Sequence, residues 1–221
     1  MNKNILIRVA SLLLAAGVLL TAYGCKDNKQ TGLNQPTIVD NQVVIEYPSV
    51  DSEGKDVEAT NVVDVDSEYV GQLNTGSSLE DAFKNESAKD KFLDRNESFG
   101  IDDEKAEEIV EEAAKWTKFS YNIYVANSNA QRVAFRTLKA TNTEDIIIDT
   151  DLGCEYGFNP GKGMIIYIEG LVNSTKFETE EEIVAALNEM DIEIIYTLID
   201  SDLDSVDDWS KVTTAYMPVT F

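Results

Sequence analysis

Apolar spacing in this chain switches four times between the period of a strand and the period of a helix. Over residues 37–47 the β-branched run Val43-Val44-Ile45 predicts a strand that Pro48 closes. Ser52-Glu53-Gly54-Lys55 reads as a turn. Over 57–73, Val62, Val63 and Val65 interleave with Asp64 and Asp66, the pattern of a strand with one wet face. Helical spacing follows. Ser78 is placed to cap a helix that aligns Leu79, Ala82 and Phe83, and later Phe92 and Leu93. Beyond Gly100, Asp102 or Asp103 caps a clearer helix, with Ala106, Ile109, Val110, Ala113 and Ala114 on one side as it runs toward Trp116. Glu104, Glu107, Glu108, Glu111 and Glu112 take the other side, and Glu111 is spaced to pair with Lys115. Period two returns at Phe119, Tyr121, Ile123 and Val125. After the turn at Asn127-Ser128-Asn129 it resumes over 132–140, with a change of phase between Phe135 and Leu138 that predicts a bulge. Ile146-Ile147-Ile148, residues 164–169, 191–200 and 211–221 read as further strands, with Ile192, Ile194, Tyr196 and Leu198 in phase. Thr179 and Glu182 form a capping box that opens a helix over 180–190. Many short strands separated by turns predict a mainly β fold, a β-sandwich with two or three inserted helices. The alternative is an α+β domain with helices on one antiparallel sheet.

The first 24 residues stand apart. Lys3 and Arg8 form a short positive segment. Residues 9–20 are apolar except for Ser11 and Gly17. That stretch has the length of a secretory hydrophobic region and falls short of the roughly 20 residues of a bilayer span. Thr21-Ala22-Tyr23-Gly24-Cys25 then resembles the lipobox of bacterial lipoproteins, with alanine where that family most often has leucine. The resemblance implies cleavage before Cys25, lipid attachment at the Cys25 thiol, and a location on the extracytoplasmic face of the cell membrane. An ordinary signal peptide and an uncleaved anchor are the alternatives. Residues 25–35 are polar and aperiodic and read as a flexible tether, leaving 36–221 as one extracytoplasmic domain with its helical insertion at 79–116.

Residues 133–148, Val-Ala-Phe-Arg-Thr-Leu-Lys-Ala-Thr-Asn-Thr-Glu-Asp-Ile-Ile-Ile, and 158–168, Phe-Asn-Pro-Gly-Lys-Gly-Met-Ile-Ile-Tyr-Ile, resemble extracytoplasmic immunoglobulin-like lipoprotein domains. There a strand ending in Asn and a polar pair, a second strand, and a Pro-Gly turn precede another strand. The resemblance implies an immunoglobulin-like sandwich, from which the helices at 79–116 and 180–190 depart.

Composition narrows the chemistry. The 221 residues include 18 Lys plus Arg, 41 Asp plus Glu and no His, for a net charge of −23. Without residues 1–24 the chain keeps 16 basic and 41 acidic residues, −25 over 197 residues. Such a surface repels phosphate backbones, which argues against a nucleic-acid partner. The absence of histidine removes Ser-His-Asp and Cys-His catalysis. With Cys25 assigned to lipid, Cys154 stands alone among Leu152, Tyr156 and Phe158 and reads as a small buried hydrophobe. Gly161-Lys162-Gly163 lacks the hydroxyl residue and the glycine spacing of a phosphate-binding loop, and reads as a turn.

Two constellations remain. Trp116, Tyr167, Trp209 and Tyr216 could stack on sugars or fill a core. Asp200, Asp202 and Asp204, within a run that ends at Asp207-Asp208, alternate so that their carboxylates could converge on Ca²⁺, with Asp149-Thr150-Asp151 or Asp64-Val65-Asp66 as further ligands. Ser205 and Lys211 stand where an EF-hand needs Gly and Glu. No catalytic residue is assigned. The reading is a non-enzymatic, lipid-anchored binding or interaction protein with an unidentified protein or glycan ligand. A cell-envelope hydrolase using paired carboxylates and a calcium-stabilised surface adhesion domain are the alternatives.

Overall fold

The computed structural model describes residues 32–152, 157–199 and 213–221. In chain order its strands are β1 (Leu33–Asn34), β2 (Gln42–Val50), β3 (Asp56–Asp64), β4 (Leu73–Ser78), β5 (Trp116–Asn127), β6 (Arg132–Lys139), β7 (Ile146–Ile148), β8 (Gly157–Phe158), β9 (Gly163–Asn173), β10 (Glu193–Ile199) and β11 (Thr213–Pro218). The helices are α1 (Leu79–Phe83), α2 (Glu86–Leu93), α3 (Asp103–Glu111) and α4 (Glu180–Glu189), with a 3₁₀ turn at Ala113–Lys115. The fold is mainly β, and every strand pairing is antiparallel.

Strand β5 organises the architecture. It pairs with β9 from Trp116 opposite Asn173 to Ala126 opposite Gly163. Its other edge is shared by β4 at the start and β1 at the end, and β7 extends the sheet beyond β9. A second sheet runs β11-β10-β6-β8, and β2 with β3 forms a separate ribbon. Alternation along β5 sends Phe119, Tyr121, Ile123 and Val125 into a core shared with Val133, Phe135, Ile194, Tyr196 and Met217 of the second sheet. Helix α4 contributes Ile183 and Leu187 to that core. The opposite face of the β5 sheet is also covered. Leu171 and Ile147 pack under Leu79, Phe92, Phe99 and Ile109 of the helical segment. Tyr124 and Ala126 pack under Val43 and Ile45 of the ribbon. Covering on both faces explains why the second half of β5 is continuously buried.

The bulge expected between Phe135 and Leu138 is present. Phe135 pairs with Tyr196 and Thr137 with Ile195, so Arg136 is the extra residue, and Leu138 turns back into the core. On β10, Leu198 packs against the same core as Ile194 and Tyr196 but is half-buried, and Thr197 and Ile199 are buried as well. The Thr179–Glu182 capping box closes reciprocally at α4.

Four boundaries differ from expectation. The segment over 37–47 is interrupted by a two-residue turn at Asp40-Asn41, both at positive φ, with Val39 and Gln42 exchanging backbone bonds at 2.9 Å. The strand then begins at Gln42 and runs through Pro48 to Val50. In a ribbon each strand has an unpaired edge, where a residue without an N–H is tolerated. The first helix divides because Asn85 leaves helical geometry and caps α2 through the Ser87 amide. Helix α3 stops at Glu111, and the 3₁₀ turn hands Lys115 to Glu112 instead of Glu111. The tether expected over 25–35 is shorter at its end. Leu33 and Asn34 are buried and pair with Asn127 and Ala126, and Tyr196 Oη accepts from the Leu33 amide at 3.3 Å. One leucine in a polar run gives no period to detect.

Candidate functional site

The helical segment is held on the sheet by aromatic packing. Phe83, Phe92 and Phe99 form a chain with ring centroids 5.5 Å apart at each step. Trp116 is buried at its base, with Lys105 Nζ 5.9 Å from the indole centroid. Between α2 and the outer sheet face, beside β4, lies a groove of about 580 Å³. That is the size range of a small-molecule site. Phe92 and Phe99 give it an apolar wall, Asn74, Thr75 and Gly76 of β4 form one side, and Lys118 and Ser120 rise from β5.

The polar groups of the groove are arranged around one ion pair. Arg95 Nη2 lies 2.9 Å from Asp149 Oδ2 and 3.5 Å from Asp151 Oδ2. Asp149 is 4% exposed and Arg95 51%. The second Asp149 oxygen accepts from the Asp151 amide at 3.1 Å. Both Asp149 oxygens are therefore engaged as acceptors, which suits a structural anchor better than a proton donor. Ser98 adds backbone tethers, since its carbonyl accepts from the Thr150 amide and hydroxyl, each at 2.7 Å. Together these bonds fasten the turn after α2 to the segment after β7.

Three cations (Lys91, Arg95 and Lys118) and three acids (Asp94, Asp149 and Glu169) line the groove. The chain as a whole has 41 acids and 18 bases, so cations are locally enriched. With Arg95 and Asp149 joined, the ammonium groups of Lys91 and Lys118 and the carboxylates of Asp94 and Glu169 are the other charges of the lining.

A second feature adjoins on the same face. On β9, Ile165 lies beneath the ribbon and Leu171 beneath the helices, with Tyr167 and Glu169 between them. Tyr167 Oη is 2.9 Å from Tyr69 Oη, the rings standing edge to face at 6.4 Å. The Tyr69 hydroxyl raises the Tyr167 pKa above its ordinary value. Asn122, opposite Tyr167, donates to the Tyr69 carbonyl at 3.1 Å. Asn122 Oδ1 and the Tyr124 hydroxyl are buried with no hydrogen-bond partner among the described residues. Burial pushes the Tyr124 phenol up.

The residues singled out in the sequence fall differently. Cys25, Cys154, Trp209 and the aspartates Asp200, Asp202 and Asp204 lie outside the described residues. Asp149 and Asp151 do converge, but on Arg95. Among the described residues no cluster of three or more acidic or cysteine side chains is placed to hold a metal ion. Trp116 belongs to the core, whereas Tyr167 and Tyr216 are exposed. The Gly161 turn packs on Tyr47, and Asn61 Nδ2 donates to the Gly161 carbonyl at 2.5 Å. The groove cations were not singled out in the sequence. Lys91, Arg95 and Lys118 come from a helix, a turn and a strand, and only folding brings them together. Among the described residues no helix is long and apolar enough to cross a membrane. Comparison of the chain with protein-family models, with curated proteins and with solved structures finds no match.

Proposed function

We propose that this protein is a lipid-anchored extracytoplasmic binding protein whose mature domain captures a small amphipathic ligand in the groove between α2 and the β5 sheet. The carrying observation is that groove: about 580 Å³, walled by phenylalanines, with charged groups of both signs around a fixed Arg95–Asp149 pair. The lipobox at Cys25 supports attachment to the membrane. Two antiparallel sheets sharing one core support an immunoglobulin-like sandwich, with the helical segment as an addition to its outer face. Binding is favoured over carboxylate hydrolysis because the buried acid of the groove already has both oxygens engaged.

A thermal-shift screen of the full-length chain in mild detergent against small amphipathic metabolites tests the reading. Compounds that raise the melting temperature of the parent should fail to do so for Ala88→Trp, which fills the groove from α2. A screen without stabilising compounds, or compounds that stabilise Ala88→Trp equally, would overturn it.

A further inference from the structure

Which ligand suits the groove follows from its charges and its strand edge. We infer that the groove takes a short peptide or amino-acid-like zwitterion with an apolar side chain, an inference that rests on the binding role proposed above.

Three observations converge. The first is charge balance. Lys91 and Lys118 make no ion pair with another described residue, and neither do Asp94 and Glu169. A ligand with one free carboxylate and one free ammonium can satisfy both signs. A simple anion leaves the acids unanswered and must also approach a chain of net charge −23. A simple cation leaves the two lysines unanswered.

The second is the backbone. Among the described residues strand β4 pairs only with β5, and backbone groups alternate in direction along an antiparallel strand, so part of the backbone at Asn74, Thr75 and Gly76, which line the groove, is turned to the edge without a strand beside it. An extended peptide unit can hydrogen-bond to such an edge, which is how strand addition gains affinity without reading sequence. A metabolite without peptide groups gains nothing from it. The third is the apolar wall of Phe92 and Phe99, whose aromatic surface suits an aromatic or branched side chain.

Calorimetric titration of the full-length chain in mild detergent with the dipeptide phenylalanyl-phenylalanine tests this, beside its N-acetyl and C-amide forms. These three probes share one apolar body and differ in end charge, the acetyl cap also adding one small amide group. The free dipeptide should bind, and each capped form at least tenfold more weakly. Lys118→Gln should weaken the free and N-acetyl forms about tenfold and leave the C-amide form unchanged. Glu169→Gln should weaken the free and C-amide forms and leave the N-acetyl form unchanged. A merely structural role for either residue would weaken all three forms alike. The inference falls if the capped forms bind as well as the free one, or if none of the three binds. Capped and free forms binding equally to the parent and failing on Ala88→Trp would leave the groove reading standing and remove only the zwitterion.

Discussion

Replacing Arg95 by Gln leaves the Asp149 carboxylate in a site where it is 4% exposed and deprives it of its guanidinium. At 2.9 Å, an effective dielectric of about 20 gives a pair energy on the order of 6 kcal/mol before desolvation and screening. Most of that is not realised, because Arg95 is half exposed and loses little by returning to water. Exposed pairs contribute about 0.2–1 kcal/mol, and breaking a buried pair by removing one partner costs about 3–5 kcal/mol. With one partner buried and one not, Arg95→Gln should cost about 2 kcal/mol. Asp149→Asn should cost less, about 1 kcal/mol, since Arg95 can turn outward and an amide oxygen can still accept from the Asp151 amide. The double variant should match Asp149→Asn to within about 0.5 kcal/mol, because the penalty of Arg95→Gln is an uncompensated charge that the second substitution removes. Urea unfolding of the four proteins, followed by tryptophan fluorescence, measures each term. The reasoning is refuted if Arg95→Gln lies within 0.5 kcal/mol of the parent, or if the two single effects simply add.

Removing the orphan hydroxyl with Tyr124→Phe should stabilise the protein by about 1 kcal/mol at neutral pH, measured by urea midpoint. Because burial raises the Tyr124 pKa, the native state keeps a proton that the unfolded chain loses. This contribution is complete below about pH 10 and is lost as the pH rises from there through the native value, so Tyr124→Phe should flatten the alkaline fall in stability. Parallel alkaline curves for the two proteins would count against the assignment. Gly170→Ala should destabilise by about 1–3 kcal/mol or more in thermal unfolding, since its new Cβ would stand 2.3 Å from the Ile147 carbonyl oxygen and 2.8 Å from the Phe119 ring. Cys25→Ala should move the protein from the detergent phase to the aqueous phase on phase partitioning. Unchanged partitioning would remove the lipid anchor.

Strands were legible wherever one periodic face enters the core. The β5 pattern of Phe119, Tyr121, Ile123 and Val125 needs no tertiary knowledge, and the bulge at Arg136 shows in the sequence as a slip of phase between Phe135 and Leu138. Helix α4 was legible because its capping box is local. Two-residue strands such as β1 are too short to carry a period, and the start of β2 depends on positive φ at Asp40-Asn41, which those residue types permit without demanding. The groove was the least legible part. Its charged residues are separated by up to 78 positions, from Lys91 to Glu169. Each one alone looks like an ordinary exposed charge on a helix or strand. The sequence pattern marked Phe92 as part of an apolar helix face, but the opening beside it forms where Phe92 of α2 and Phe99 of the turn after it pack in one cluster with Ile147 and Leu171 of the sheet.

Hydrogen exchange on the full-length chain, with and without phenylalanyl-phenylalanine, tests the central claim most directly. An occupied groove should slow exchange of those amides at residues 74–76 on β4 that β5 does not pair, and of the segment 88–99 that forms the opposite wall. Ala88→Trp should show neither protection. Protection confined to other parts of the chain, or no protection at dipeptide concentrations that saturate the calorimetric signal, would contradict the account.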